Sequence, residues 1–321
     1  MMRNWFACEL HCHTLHSDGD FSVEELMRTA RERLLDGINL TDHNTDSGVI
    51  ETKAFSSPVV LPGMEWTTYF GHILVLDCKQ YVDWRDALPD TIDQKMRQVR
   101  ENGGLCGVAH PFQLGTPICT GGHWDYHVQD WSLVNYIEIF SEGCPFLNSA
   151  NRRAITLWQS LLDKGYHIAP TFGRDWHRTA NNKLLSACTY LLCDGETLTP
   201  EKMKQALLSG RTCVSAGPLF YFETANGESV GDMIENGATD FTFYTDTKRL
   251  EALKTGDKMD PETVRLLTNG GEVVLEMPWR SGKMPATVDL LPGRYYRAEL
   301  WGKINEKPGQ LLAACAAVYT K

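Results

Sequence analysis

Histidine and carboxylate residues stand at the ends of short apolar runs all the way from His11 to His177. The clearest pieces are Glu9-Leu-His-Cys-His-Thr-Leu-His-Ser-Asp-Gly19 and Leu40-Thr-Asp-His-Asn-Thr45. Each closes an apolar stretch and opens into Ser, Asp, Gly or Asn. A barrel of short strands delivers side chains to one rim in this way. So many imidazoles at one rim point to a multinuclear metal site.

The segments between these pieces read as a scaffold of alternating strands and helices over residues 1–215. Strands are expected at Trp5–His13, Ile38–Thr41, Val59–Pro62, His72–Leu76, Leu105–Ala109, Tyr136–Phe140 and His167–Phe172. Ser22-Val-Glu-Glu25 is a capping box that opens a helix running to about Leu35. Further helices are expected at Thr91–Asn102 and Ala150–Lys164, and a last one through Leu208 with Thr199 capping and Pro200 at its first position. Such alternation predicts a mainly parallel sheet or barrel. After Gly217-Pro218 the texture changes. Phe220–Glu223, Phe241–Thr245, Val273–Met277 and Tyr295–Leu300 read as strands of a small β-rich unit, interrupted by a polar, helical stretch from Lys248 to Asn269. The expected division is therefore 1–215 and 216–321.

Charge narrows the partners. A net charge of -10 argues against nucleic acid, and no Lys/Arg block exceeds two residues, so there is no polybasic membrane patch. The longest apolar run, Leu311 to Tyr319, is about half a membrane span. Ten cysteines without a Cys-x-x-Cys pair, behind a start that lacks an apolar signal core, give the expectation of a reducing, cytoplasmic compartment. Bound ions would reverse the local sign: three divalent ions carry about +6 and three carboxylates remove about 3. A small anionic substrate could then enter an acidic shell.

His11 and His13 sit two apart, so on a strand both project from one side while Cys12 points away. Asp18 lies in a Ser-Asp-Gly turn, and Asp42 and His43 end the next strand. Glu65 follows Pro62-Gly63, where glycine is expected to let the chain turn sharply. His72 begins a strand, His110 precedes Pro111, and Asp175 and His177 repeat the two-residue spacing after Gly173. Together, His-x-His-Thr with Ser-Asp-Gly, Thr-Asp-His-Asn, Gly-Met-Glu with a downstream His, Ala-His-Pro and Gly-x-Asp-x-His resemble the PHP superfamily (polymerase and histidinol phosphatase domains) over about the first two thirds of the chain. The layout after residue 200, from Ala-Leu-Leu-Ser-Gly-Arg-Thr-Cys-Val-Ser-Ala-Gly-Pro to Tyr-Tyr-Arg-Ala-Glu-Leu-Trp-Gly, is similar to the carbaryl-hydrolase-like (CehA/McbA) branch.

The resemblance implies an α/β fold, a distorted (β/α)7 barrel followed by a small, sandwich-like β domain. It also implies two or three divalent ions per chain, and His/carboxylate ligation suits Mn, Fe or Zn. The first ion would take His11, His13, Glu65 and Asp175. The second would share Glu65 and add His72 and His110, and the third would take Asp18, His43 and His177. Asp42 and Glu138 are expected to support these ligands by hydrogen bonds. Two departures stand out: Arg174 replaces a small residue before Asp175, and Trp176 between Asp175 and His177 is expected to narrow the mouth.

The expected reaction is hydrolysis of a small phosphoester by a metal-bridging hydroxide, with Glu65 and Asp175 at its centre. Arg174 and Arg178 would clamp the phosphate, with Arg152 or Arg153 as further candidates. Two alternatives stand beside it: a carboxylic or carbamate ester or amide hydrolase using the same ions, and a non-catalytic metal-binding regulatory module. His16 could assist a leaving group, whereas His123, His127 and His167 read as ordinary. The loop from Thr116 to Trp131 is long enough to form a lid or substrate wall. Nothing in the sequence sets the oligomeric state.

Overall fold

The computed structural model describes residues 2–114, 124–141, 147–179 and 186–321. Its first part runs β1 (Arg3–Cys12), α1 (Val23–Glu32), β2 (Gly37–Leu40), α2 (Val49–Thr52), β3 (Val59–Thr68), β4 (Gly71–Leu76), α3 (Ile92–Glu101) and β5 (Leu105–Val108). There follow β6 (Tyr136–Ser141), α4 (Ser149–Asp163), β7 (Ala169–Gly173), β8 (Cys188–Asp194), α5 (Pro200–Leu208) and β9 (Thr212–Ser215). The later part holds β10 (Leu219–Thr224), β11 (Met233–Ile234), β12 (Gly237–Asp246), α6 (Lys248–Leu253), β13 (Met259–Leu267), β14 (Val273–Pro278), β15 (Met284–Leu290), β16 (Tyr295–Ile304) and β17 (Lys307–Thr320).

Local signals act as expected. Ser22 accepts from the Glu25 amide and Glu25 returns the bond, so α1 starts at its capping box. Thr199 caps α5 with Pro200 in its first turn. The polar stretch after Lys248 differs: α6 ends at Leu253 and residues 259–267 form β13. There Val264 and Leu266 alternate with more exposed neighbours, and β14 and β16 flank the strand on both sides. Two-sided pairing and a period of two outweigh the polar composition.

The strands order as β14-β13-β16-β17-β9-β8-β1-β2-β3-β4-β5-β6-β7, with β11 on β17, and β10-β12-β15 form a second sheet. The expected closed (β/α)7 barrel is not formed. Pairs β1–β2, β2–β3, β5–β6 and β6–β7 are parallel, but β3–β4 and β4–β5 are antiparallel. The sheet curls until its free edge at β7 meets β1. No ladder joins β7 to β1: past the strand ends one bridge links Cys12 and Trp176, Glu9 of β1 accepts from the Arg174 amide, and the Thr189 hydroxyl of β8 accepts from the Phe172 amide. Asp175 takes φ 53° just past β7, which turns the chain out of strand geometry before a ladder can zip up.

One apolar cluster fills the curl: Leu10, Leu61, Leu74, Leu76, Leu105, Tyr136, Ala169 and Leu191, with Met203 and Leu207 of α5 packed against them. The helices α1, α3 and α4 cover the outside through Met27, Met96 and Trp158. The apolar run Leu311–Tyr319 lies in β17, paired to β16 and β9, with β10 and β7 both packed against it. Burial on both faces explains why it lacks alternation. Among the described residues, no helix is long and apolar enough to cross a membrane.

Candidate metal centre

Irregularities in the strands aim the candidate ligands at one point. β1 carries a bulge between Glu9 and Cys12. Ala7 and Cys12 consequently both join the outer core, leaving His11 and His13 together on the inner side. His13 is held past the strand end by mutual bonds: its amide donates to the Trp176 carbonyl, and the Trp176 amide donates to that of His11. The loop carrying Asp18 is pinned by Asp42, whose carboxylate accepts from the Thr14 amide (2.6 Å), the Thr14 hydroxyl (2.8 Å) and the Ser17 hydroxyl (2.7 Å). A Cβ on Gly19 would stand 2.6 Å from the His13 carbonyl, so this loop closes only with glycine.

Antiparallel pairing brings in Glu65 and His72. His72, at the start of β4, pairs with Thr67 near the end of β3, so a strand's beginning shares the rim with other strands' ends. Gly63 makes no turn here; it lies inside β3, where a Cβ would meet Leu76 Cδ2 at 2.5 Å. His110 and Asp175 adopt φ of 24° and 53°, conformations costing about 1–3 kcal/mol each for residues with a Cβ.

These elements bring all nine candidate ligands together in overlapping groups. His11, His13, Glu65 and Asp175 form one; Glu65, His72 and His110 a second; Asp18, His43 and His177, with His13, a third. In the first, His11 Nε2 lies 3.3 Å from Glu65 Oε2 and 3.4 Å from Asp175 Oδ1, and His13 Nε2 lies 3.1 Å from Asp175 Oδ1. In the second, His72 Nδ1 and His110 Nε2 approach Glu65 Oε1 at 2.7 and 3.2 Å. In the third, His43 Nε2 and His177 Nε2 approach Asp18 Oδ1 at 3.2 and 3.0 Å.

The donor set fits divalent cations. His11 Nε2, both ring nitrogens of His13, Glu65 Oε2 and Asp175 Oδ1 are buried without hydrogen-bond partners. Leaving such atoms unsatisfied costs roughly 1–3 kcal/mol each, and a shared cation satisfies most of them at once. Ligands about 2.1 Å from one ion stand about 3–3.4 Å apart, close to the separations seen here. Burial opposes ionisation, yet Glu65 and Asp175 are held well below the usual carboxylate range by the imidazoles around them, His11 above all. The imidazoles diverge: burial pushes His13 down to about 4, while Asp18 and Glu65 outweigh burial and push His43 up to about 10. A cluster whose members cannot all carry protons is suited to exchanging them for metal.

The supporting residues are as informative as the ligands. Glu138 accepts from His11 Nδ1 at 2.8 Å and from the His110 amide at 2.9 Å. It reaches His11 only because residue 173 is glycine: a Cβ there would stand 1.8 Å from Glu138 Oε1. Asp42 acts differently from the expectation of bonding an imidazole, since its partners are the loop residues Thr14 and Ser17. Glu9, which sequence reasoning missed, is fully buried. Its Oε1 accepts from the His11 and Arg174 amides and its Oε2 lies 3.2 Å from Arg174 Nε. A carboxylate between two apolar residues of a buried strand was the available signal.

The phosphate-clamp role for Arg174 is overturned by that pairing. Its guanidinium is buried against Glu9 and the Ala187 carbonyl (2.8 Å), where it supports the bulge instead of facing the mouth. Arg178 remains at the surface, 3.8 Å from Asp20. Arg152 bonds the Leu147 carbonyl, and Arg153 stacks over Phe112 at 4.3 Å. Trp176 does not narrow the mouth. It is 1% exposed and packs outward, between Phe21 and the Arg33 guanidinium, because bridging to Cys12 points it toward α1. His16 is tied to Ser47 and Glu51, His127 pairs with Asp90 and His167 stacks on Tyr319. His123 and residues 116–122 of the expected lid lie outside the described residues.

No family model matches the chain. An uncharacterized protein of Methanocaldococcus jannaschii is 32% identical over 126 residues, which cover 35% of this chain and 69% of that protein. A solved two-domain protein from Bacteroides vulgatus, described as containing a predicted PHP-like metal-dependent phosphoesterase, aligns over 98% of this chain and 95% of its own at TM-score 0.51 and 14% identity. At that identity it establishes a shared fold. An amidohydrolase from Chromobacterium violaceum aligns over 54% of this chain and 88% of its own, at TM-score 0.38 and 14% identity.

Proposed function

We propose that this chain, which belongs to one family with the Methanocaldococcus jannaschii protein and has the fold of the Bacteroides vulgatus one, is a metal-dependent hydrolase of small phosphoesters. Residues 1–215 carry the centre and residues 216–321 form a second, β-rich unit. The observation that carries the reading is the convergence of nine His, Asp and Glu side chains, the buried Glu65 among them. A purely structural role gives no reason to bury several unsatisfied polar atoms at one point.

Two or three divalent ions, Mn, Fe or Zn, would be held by the three groups described above. When bound, they supply Lewis acidity and lower the pKa of water from 15.7 toward ~7. The chain's own residues prepare for this. Glu138 meets His11 at Nδ1, so once the imidazole gives up its second proton the remaining one sits on Nδ1 and the Nε2 lone pair is left toward the Glu65 and Asp175 side. The Asp175 carbonyl does the same for His177, fixing Nδ1–H and freeing Nε2 toward Asp18. Glu65 and Asp175 keep their negative charge at neutral pH. Asp42 and Gly19 hold the Asp18 loop in place, which limits reorganisation when substrate arrives.

A second reading, hydrolysis of a carboxylic or carbamate ester or an amide, is favoured by one observation. Arg174 is turned inward, so among the described residues it offers no buried guanidinium to a dianionic phosphate. Purified protein loaded with Mn²⁺ should be assayed against p-nitrophenyl phosphate, its bis-ester and p-nitrophenyl acetate. Phosphoester cleavage without acetate cleavage supports the first reading, and the reverse supports the second. Silence on all three, with ions bound, defeats both.

A further inference from the structure

One residue lining a small cleft beside the second ligand group carries a donor with nothing to bond. Gly71, His72, His110, Pro111, Gln113 and Trp124 line it. The Nε2 of Gln113 is buried and has no hydrogen-bond partner, although an unpaired buried amide is disfavoured and rare. Its position is built, not incidental. The turn from His110 closes when the Gln113 amide donates to the His110 carbonyl at 3.0 Å, and Phe112 within it is clamped under the Arg153 guanidinium at 4.3 Å. The Trp124 indole packs against Gly71, where a Cβ would meet its Cε3 at 2.8 Å and φ is +141°. The indole N–H is already satisfied by the Tyr126 carbonyl at 2.9 Å, so Trp124 offers only apolar surface.

We infer that Gln113 is a substrate-binding residue whose side-chain amide donates to an oxygen of the ester group held at the His72 and His110 side of the centre. None of the described lining residues is a lysine or arginine. Recognition here is by a neutral donor beside an apolar wall, which suits a phosphoryl or carbonyl oxygen of low charge better than an exposed dianion. The substrate class is thereby narrowed to esters bearing at most one negative charge at the reacting group, a phosphodiester before a phosphomonoester. This rests on the proposed hydrolytic reading, but the test separates the two.

The probe is dimethyl phosphate, an unreactive monoanionic diester, titrated calorimetrically into Mn²⁺-loaded wild-type protein, Gln113→Leu and Gln113→Glu. Kinetics on bis-p-nitrophenyl phosphate run in parallel. Gln113→Leu should weaken dimethyl phosphate binding by about tenfold, the scale of one hydrogen bond to a charged acceptor. KM for the diester should rise by a similar factor while metal content, melting temperature and kcat stay near wild type. Gln113→Glu should weaken dimethyl phosphate at least as much, by replacing a donor with a like charge. Equal dimethyl phosphate affinity in wild type and Gln113→Leu overturns the inference, as does a wild-type protein that binds no dimethyl phosphate, or loss of metal in both variants. If Gln113→Leu weakens dimethyl phosphate yet wild type cleaves no ester, Gln113 keeps its role and the hydrolytic reading falls. If diester is cleaved with unchanged KM in Gln113→Leu, only Gln113 loses its role.

Discussion

Replacing Gly173 by alanine should damage the centre without touching any ligand. The new Cβ would lie 1.8 Å from Glu138 Oε1 and 2.3 Å from its Cδ, against an ordinary contact of 3.4–4 Å. The carboxylate must therefore retreat by roughly 1.5 Å, which breaks a hydrogen bond of ordinary length. The bonds at stake are those to His11 Nδ1 and the His110 amide. Loss of such an orienting partner lowers metal affinity by about 10–100-fold, or about 1.4–2.8 kcal/mol. Overpacking adds a stability cost of about 1–3 kcal/mol. Competition with a chromophoric chelator reads the affinity for Zn²⁺ or Mn²⁺ directly. Glu138→Ala should show a loss of similar size, and Gly173→Ala/Glu138→Ala should match Glu138→Ala within about twofold, because the clash partner is gone. Wild-type metal affinity in Gly173→Ala would refute this account of why glycine is needed.

Glu65→Ala removes the carboxylate shared by the first two ligand groups, so stoichiometric metal should fall and turnover drop by far more than tenfold; elemental analysis and initial rates check both, and near-normal turnover denies the shared role. Arg174→Met strips the buried Glu9 of its ion-pair partner and should lower unfolding free energy by about 3–5 kcal/mol, measured by denaturant titration, with KM unchanged; a raised KM at intact stability would put Arg174 back at the mouth. Asp77 pairs with Lys204 (2.6 Å) and Lys79 (2.5 Å). Burial alone would raise its carboxyl, but the two ammonium groups hold it below the ordinary value. Its stabilising contribution is therefore present above pH ~3.9 and lost as pH falls through the depressed folded value. Metal-free wild type should melt above metal-free Asp77→Asn near neutral pH, and the gap should close on acidification; a gap independent of pH would show that the ion pair contributes nothing.

Much of the centre was legible because its signals are local. His11, His13, Asp18, His43, Glu65, His72, His110, Asp175 and His177 are ligand types at the ends of apolar runs, and the structure gathers all of them. Glu138 was readable as a carboxylate amid apolar neighbours, and its bond to His11 follows. Glu9 has a similar setting but meets its partner 165 residues away. Nothing near it in the chain announces Arg174, so the arginine read as a surface clamp. Trp176 was misplaced for the same reason, since only the bridge to Cys12 decides which way it faces.

Taken alone, the sequence determined the chemistry available and where helices begin, because caps, ligand types and side-chain periodicity act over a few residues. Only the tertiary structure decided the bulge in β1, the antiparallel β3–β4 hairpin that carries His72 to the rim, the unclosed edge at β7 and the pairing of β17 with β9. Each depends on which distant strand offers the better partner and on what burial leaves unsatisfied. That competition is settled between segments far apart in the chain and leaves no mark on either one alone.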